Sequence, residues 1–248
     1  MASAEFYMAR AIELAKNGLY TTDPNPRVGC VIVRDNQIVG EGWHQRAGES
    51  HAEVNALHQA GEQARGADCY VTLEPCSHYG RTPPCADALV NAGVKRVFIA
   101  MTDPNPVVSG SGIHRLREAG IEVHTKLLSS ESEKLNPGFA YRMRHGRPYI
   151  RSKVAMSLDG RTAMASGESK WITGPEARQD VQKLRARSSA IMTGIGTILA
   201  DDPQLNVRFS ADHDNWYPSG QKIRQPLKII VDSDGRLPAS AQILKEGK

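Results

Sequence analysis

The sequence predicts two consecutive α/β domains, and three observations support this. Strand-like and helix-like segments alternate along the first part of the chain, the pattern weakens over residues 134–147, and a shorter alternating series follows. Such alternation is typical of layered domains, in which helices connect parallel strands across the faces of a sheet. We therefore expect one domain over residues 1–146 and a second over residues 147–248.

Hydrophobic periodicity and turn residues predict the individual elements. In the first domain they are a helix ending at Gly18, the hairpin strands RVGCVIV and QIVGEGWH, the helix HAEVNALHQAGEQARG, the strand CYVTL, the helix ADALVNAG, the strand KRVFIAM, the helix GIHRLREAG and the strand IEVHTKL. In the second domain they are the strand PYIRSKVAMSLDG, the helix GPEARQDVQKLRARS and the strands AIMTG and LKIIVD.

The composition is that of an ordinary folded protein. Hydrophobic residues make up 40% and charged residues 23%, which excludes a disordered or fibrous chain. No apolar run approaches the ~20 residues needed to cross a bilayer, and the N-terminus lacks the regions of a signal peptide. Four cysteines in 248 residues are too few for a disulfide scaffold, so we expect the reducing cytoplasm. The net charge of +4 allows an anionic ligand such as a phosphate ester without requiring nucleic acid.

The segment ESHAEVNAL carries two candidate site residues, His51 and Glu53. Taken alone, it fits a capping box, in which Ser50 caps the first helical turn and Glu53 bonds back to Ser50. Likewise, Cys76 and Cys85 taken alone fit buried thiols. Each motif by itself therefore has a purely structural interpretation.

Together, these residues indicate a catalytic zinc site. His51, Cys76 and Cys85 supply one imidazole and two thiolates, and three protein ligands are typical of catalytic zinc, whereas structural zinc has four. Nearby helix N-termini would stabilise the ionised sulfurs. Glu53 can reach a zinc-bound water, whose pKa the metal lowers to ~7, and can shuttle its protons.

The motif H-x-E followed by P-C-x-x-C is typical of zinc-dependent base deaminases. Here eight residues, SHYGRTPP, separate the two cysteines instead of two. Because this loop joins two metal ligands, it has to run beside the metal, and His78, Arg81 and Thr82 become candidate substrate contacts. The alternative is an ordinary solvated loop.

The segments NPRVGCVIV, HAEVNAL, EPCSHYGRTPPC and TDPNP together resemble the N-terminal half of the bifunctional riboflavin-biosynthesis deaminase/reductase family. The resemblance implies a cytidine-deaminase-like three-layer α/β/α fold, with zinc on His51, Cys76 and Cys85 and with Glu53 as the proton shuttle. The implied reaction is hydrolytic deamination of a diamino-ribosylamino-pyrimidinone 5′-phosphate. The substrate positions that it implies are Asn25, His44, His78, Arg81, Thr82 and Asn105. Of these, Asn25 suits a pyrimidine edge, while His44 and Arg81 suit a phosphate.

The segments KVAMSLDGRTAMASGESKWIT and TGIGTILADDPQLNVR resemble the C-terminal half of the same family, an NADPH-dependent reductase with a dihydrofolate-reductase-like fold. From the residues alone, TGIGT is only a fragment of a dinucleotide fingerprint, and an ordinary strand-to-helix turn is the alternative. The resemblance implies that hydride from NADPH converts the ribosyl to a ribityl side chain. The implied cofactor positions are Ala155, Trp171, Thr197, Asp201 and Ser233. The implied substrate positions are Lys153, Ser169, Arg185, Leu205 and Arg208.

One departure from the family concerns the reductase. Beyond LKIIVD the family has further strands with a Glu and a Gly-rich turn, and this sequence stops before them, so we expect a partial reductase fold. We expect the 248-residue chain to bind NADPH poorly and not to reduce substrate. Robust NADPH turnover would contradict that expectation.

The sequence leaves two other functions open: a nucleoside or tRNA deaminase, and a zinc-stabilised module that binds RNA through the basic residues 142–153. The long cysteine spacing and the reductase-like second half count against the first. Three metal ligands beside an unliganded carboxylate, with few aromatic residues for stacking, count against the second. We expect a small phosphorylated pyrimidine as the partner, without nucleic acid or membrane, and a homo-oligomer stays open.

Overall fold

The computed structural model describes residues 2–79, 83–208, 217–218 and 222–245. The chain divides into two compact units, Met1–Ile150 and Arg151–Lys248. The division falls shortly after the boundary that the weakened sequence pattern predicts. Both units contain strands and helices, as the alternating pattern predicts.

Five strands form the sheet of the first unit: β1 (Gly29–Arg34), β2 (Gln37–Trp43), β3 (Asp68–Leu73), β4 (Arg96–Met101) and β5 (Glu122–Thr125). Their order is β2-β1-β3-β4-β5, in which β3, β4 and β5 run parallel and β1 is antiparallel to both of its neighbours. The expected parallel crossovers are correct for β3 to β5, and the predicted hairpin of β1 and β2 is confirmed. Its tight turn through Asp35 and Asn36 reverses the chain in two residues with positive φ.

In the part of the first unit that the structure describes there are six α-helices: α1 (Ala4–Lys16), α2 (Ala52–Ala60), α3 (Cys85–Ala92), α4 (Ser111–Glu118), α5 (Ser129–Leu135) and α6 (Pro137–His145). One hydrophobic core packs α2, α3 and α4 on the sheet, and a second packs α1 and α5 on the opposite face. Along β1, Cys30 and Ile32 enter the first core and Val31 and Val33 the second, because successive strand side chains point to opposite faces. The three-layer α/β/α architecture is confirmed.

The helices α5 and α6 were not predicted: α6 lies within residues 134–147, where the sequence indicated only a domain junction, and α5 ends at the start of that segment. They are tied to the start of β1 by Asn136, whose side chain is buried. Its Nδ2 donates to the Arg27 carbonyl oxygen at 2.8 Å, and the Arg27 N–H donates to its Oδ1 at 2.8 Å. A local pattern could not reveal this link, because its partners are 109 positions apart.

The second unit contains a parallel pair of strands with two helices: α7 (Pro175–Ala186), β6 (Ala190–Gly194), α8 (Ile195–Asp201) and β7 (Leu227–Val231). Its small core is formed by Ile195, Ile198, Ala241 and Ile243. The strand expected over PYIRSKVAMSLDG is wrong. In the described part of the chain no strand pairs with this segment, and Val154, Met156 and Leu158 are exposed. Of the described helices, none combines the length and apolarity that a bilayer span requires.

We expect Asn136→Ala to lower the free energy of unfolding by about 2–4 kcal/mol, because both backbone groups of Arg27 lose a buried partner. Urea unfolding followed by circular dichroism measures this. The matched control is Asn91→Ala on the exposed side of α3, which we expect to change stability little. Equal effects of the two substitutions would contradict the anchoring role of Asn136.

Candidate metal centre

Three potential metal ligands meet where α2 and α3 begin. His51 directly precedes α2, Cys85 is the first residue of α3, and Cys76 follows the end of β3. Their ligand atoms lie within 4.8 Å of one another. The His51 Nδ1 is 3.2 Å from the Cys85 Sγ and 3.6 Å from the Cys76 Sγ. Tetrahedral zinc, with bonds of ~2.3 Å to sulfur and ~2.0 Å to nitrogen, separates its ligands by roughly 3.5–3.8 Å, so small shifts would let this set hold zinc.

The first turn of α2 does not form the capping box that the sequence allows. His51 occupies the N-cap position in an extended conformation, and no side chain caps the helix. Ser50 instead uses its carbonyl oxygen to accept a hydrogen bond from the His44 ring at 3.1 Å. Glu53 is 3% exposed, so its carboxyl group points into the protein beside the ligand cluster and not back along the helix.

Close contact between α2 and β2 sets the position of His51 and Glu53. A Cβ atom on Gly42 would lie 2.3 Å from the Ala52 carbonyl oxygen, and one on Gly40 would lie 2.2 Å from that of Ala56. Only glycine therefore fits at either position without moving the helix. The close approach brings the first turn of α2 down onto the end of the sheet where Cys76 lies.

The charges of the cluster suit a cation. Burial, together with the nearby Cys76 sulfur, raises the pKa of Glu53 to about 7. The hydrogen bond with Cys85, aided by His51, lowers the pKa of Cys76 to about 4 against the opposing effect of burial. The same bond and burial raise the pKa of Cys85, and the bond with Cys76 raises the pKa of His51. Without metal, one thiolate is thus ionised, and a divalent cation would favour ionisation of the second.

Asn25 and His44, two predicted substrate residues, contact each other. The Asn25 Nδ2 lies 3.1 Å from the His44 Nε2, and the His44 Nδ1 lies 3.1 Å from the Ser50 carbonyl oxygen. Because a carbonyl only accepts, Nδ1 carries the proton and Nε2 accepts from the amide. Burial lowers the pKa of His44, which is 3% exposed. A neutral, buried imidazole is suited to orienting Asn25. The phosphate contact expected of His44 stays a prediction.

A small pocket beside Cys76 includes the predicted residue His78. Asn105 lies in the loop after β4, where its Oδ1 accepts from the Val107 N–H at 3.1 Å. Arg81 and Thr82 lie outside the described residues. Two acidic residues that line this pocket, Glu74 and Asp103, were not predicted from the sequence. Burial raises the pKa of Asp103. The sequence signal that could have identified them is their place in the motifs EPC and TDPNP, next to residues that were predicted.

The predicted reductase residues lie on several segments of the second unit. Lys153 and Ala155 lie in the segment PYIRSKVAMSLDG, which has no regular secondary structure, and Ser169 and Trp171 lie between it and α7. The others lie further along the chain: Arg185 on α7, Thr197 and Asp201 on α8, Leu205 and Arg208 after α8, and Ser233 after β7. Burial lowers the pKa of Arg185, and repulsion from the nearby Arg208 lowers it further. The Arg185 Nη1 also donates to the Asn206 carbonyl oxygen at 3.0 Å. The Trp171 ring stacks under the Arg178 guanidinium at 4.6 Å.

We expect Glu53→Gln to stabilise the metal-free protein increasingly as pH rises. The unfolded chain ionises Glu53 near pH 4.5 while the folded chain does so near 7, so the wild type loses stability between these values and the variant does not. The variant should gain about 2–3 kcal/mol over the wild type between pH 5 and pH 8. Urea unfolding of chelator-treated protein measures this.

The matched control is Glu41→Gln. The hydrogen bond with the Arg10 guanidinium lowers the pKa of Glu41, so the pair stabilises the wild type fully above pH 5. Glu41→Gln should therefore lower the free energy of unfolding by the same amount at every pH between 5 and 8. A constant effect of Glu53→Gln over the same range would contradict the raised pKa.

Comparisons with known proteins extend over both units. Residues 1–101 match the cytidine and deoxycytidylate deaminase zinc-binding region, and residues 148–248 match the RibD C-terminal domain. The riboflavin biosynthesis protein RibD of Escherichia coli (strain K12) is 60% identical over 245 residues, which cover 98% of this chain and 66% of that protein. The chain thus spans just under two thirds of the length of that relative.

Solved structures agree with the sequence comparisons. Acinetobacter baumannii RibD (form 1) is 60% identical, with a TM-score of 0.91, and the match covers 97% of this chain and 66% of that one. A diaminohydroxyphosphoribosylaminopyrimidine deaminase/5-amino-6-(5-phosphoribosylamino)uracil reductase of Thermotoga maritima is 41% identical, with a TM-score of 0.86, over 98% of this chain and 67% of that one. The chain therefore belongs to the family of bifunctional riboflavin-biosynthesis deaminase/reductases.

Proposed function

We propose that the first unit hydrolytically deaminates a diamino-ribosylamino-pyrimidinone 5′-phosphate. The observation that carries the proposal is the His51–Cys76–Cys85 cluster with the buried Glu53 carboxyl group beside it. The matched zinc-binding deaminase region supports the reaction type. The printed name of the Thermotoga maritima relative, a diaminohydroxyphosphoribosylaminopyrimidine deaminase, supports the substrate class.

In this proposal His51 Nδ1, Cys76 Sγ and Cys85 Sγ hold zinc. Zinc held by these three residues would lower the pKa of a bound water. The Cys85 backbone N–H donates to the Cys76 sulfur at 3.3 Å and helps to hold it ionised. Reduced thiols at these positions need a reducing compartment, which supports the expected cytoplasmic location.

Glu53 moves the proton in the proposed reaction. Burial raises the pKa of its carboxyl group, which makes that group a stronger base than an exposed glutamate. It accepts a proton from the attacking water and returns one to the leaving amine. A C–O bond forms at the ring carbon, the exocyclic C–N bond from that carbon to its amino group breaks, one water is consumed and ammonia leaves, so no oxidant or reductant is needed.

The substrate contacts are proposed from the surrounding residues. Asn25, held by the neutral His44 ring, binds the edge of the pyrimidine through its carboxamide. His78 lies on the loop after β3, beside Cys76, and Asn105 lies on the loop after β4. Both contact the substrate in this proposal. Arg81 and Thr82 stay proposed contacts on the strength of the family resemblance alone.

We expect Glu53→Gln to lower the rate of ammonia release from the pyrimidinone phosphate by at least ~100-fold, because the carboxamide cannot transfer the proton. Zinc content, measured by elemental analysis, should stay unchanged. Cytidine is the comparison substrate. Full activity of the variant would contradict the mechanism, and reaction of the wild type with cytidine alone would favour a nucleoside deaminase.

The metal ligands have a matched control among the buried cysteines. Cys85 and Cys69 are both 0% exposed, and the same substitution removes the same volume from each. Cys85→Ala should lose zinc and activity, whereas Cys69→Ala should keep both. Retention of zinc by Cys85→Ala would contradict the proposed ligand set.

We also propose that the second unit supplies substrate and cofactor contacts for the NADPH-dependent reduction of the ribosyl to the ribityl side chain. The match to the RibD C-terminal domain and the reductase named in the Thermotoga maritima relative support this. The adjacent Arg185 and Arg208 suit the substrate phosphate, while Lys153, Ser169 and Leu205 complete the proposed substrate contacts. The proposed NADPH contacts are Ala155, Trp171, Thr197, Asp201 and Ser233.

Fluorescence titration tests the cofactor assignment. We expect NADPH to quench the protein fluorescence saturably and more strongly than NADH, and Thr197→Ala to weaken the effect. The titration should extend to millimolar nucleotide, so that weak binding is also measured. Identical, non-saturating responses to the two nucleotides would contradict the assignment.

A further inference from the structure

Glu74 is a buried carboxylate that neither the metal cluster nor the proposed proton transfer uses. It follows β3 directly and is 5% exposed. Its Oε2 accepts from the backbone N–H groups of Asp103 at 3.1 Å and Gly110 at 3.0 Å. Its Oε1 accepts from those of Gly112 at 2.9 Å and Ile113 at 3.3 Å. All four donors are backbone groups, so this side chain organises main chain and not other side chains.

The four donors belong to one segment, the loop after β4 and the first turn of α4. Asp103 and Gly110 bracket the part of that loop that contains Asn105. Gly112 and Ile113 are first-turn residues whose N–H groups have no acceptor within the helix. One carboxylate therefore closes the loop at both ends and caps the helix that follows it.

Glu74 itself is held firmly by the sheet. Its backbone N–H donates to the Met101 carbonyl oxygen at 2.9 Å, continuing the pairing of β3 with β4. The segment after it presses against α4, because a Cβ on Gly112 would lie 2.0 Å from the Pro75 carbonyl oxygen. The hydroxyl groups of Ser77 and Ser111 add a contact at 2.7 Å. Glu74 is thus a fixed point to which the loop after β4 is attached.

We propose that Glu74 is a positioning residue for substrate binding. It holds the loop with Asp103 and Asn105 against residues 75–77, which include Cys76. The inference rests on the proposed deaminase function. Cys76 keeps its own anchors, the Cys85 N–H and the end of β3, and Glu53 lies on another helix. Loss of the Glu74 contacts therefore affects the substrate loop while zinc binding and proton transfer persist.

Glu74→Gln tests the proposal. The carboxamide keeps one accepting oxygen, but its NH₂ group faces two N–H donors, so two of the four bonds are lost. We expect KM for the pyrimidinone phosphate to rise about tenfold while kcat stays within about twofold and zinc content is unchanged. Glu41→Gln, which removes a carboxylate from the exposed pair with Arg10, is the matched control and should leave KM unchanged.

An unchanged KM in Glu74→Gln would overturn the proposal, as would a loss of zinc or of kcat at constant KM. Backbone hydrogen exchange of the wild-type protein provides a second measurement that needs neither activity nor a stable variant. The amides of Gly112 and Ile113 should be protected, although first-turn amides ordinarily exchange fast. Exchange as fast as in exposed loops would also overturn it. If the wild type releases no ammonia, the proposed function fails, and hydrogen exchange still decides whether Glu74 holds the loop.

Discussion

The candidate metal centre depends on how closely α2 approaches the sheet. Gly40 and Gly42 on β2 leave room for the helix backbone, and Ala52 and Ala56 face the sheet from α2. This spacing fixes the depth at which the helix begins. His51, at the N-cap, then reaches the cysteines, and Glu53, one half-turn further, is buried beside them. A side chain at either glycine would push both functional groups away from Cys76.

The buried cluster contains three groups that become negatively charged on ionisation, namely Glu53, Cys76 and Cys85. Ionised groups are costly to bury unless a partner or a metal compensates them. The metal-free site reduces this cost by protonation, since the pKa values of Glu53 and Cys85 are raised and only Cys76 is readily ionised. A divalent cation changes this balance because it stabilises the thiolates directly. The same burial that makes the cluster suit a metal also brings the pKa of Glu53 near neutrality, where proton transfer in both directions is effective.

The topology explains why the remaining candidate residues lie around the cluster. Parallel strands present their carboxyl ends at the same edge of a sheet, and ligands commonly bind there. Cys76 follows β3, and Asp103 and Asn105 follow its parallel neighbour β4. The loops after the two strands are joined by the Glu74 carboxylate, so Cys76 and the loop with Asp103 and Asn105 share one support. The antiparallel β1 and β2 contribute the other side, where Asn25 precedes β1 and His44 follows β2.

The sequence by itself determined the strands of the first unit, the hairpin and the three residues of the candidate metal centre, because each follows from a local pattern: alternating hydrophobic residues, turn residues, or the H-x-E and P-C motifs. Only the tertiary structure decided features that depend on distant partners. His51 and not Ser50 is the N-cap because of the contacts of α2 with the sheet. The positions of α5 and α6 depend on the hydrogen bonds between Asn136 and the Arg27 backbone. A strand over PYIRSKVAMSLDG needs a neighbouring strand to bond with, which the described residues do not provide. Glu74 illustrates the same limit, since a carboxylate in the EPC motif gains its role only when the fold brings α4 to it.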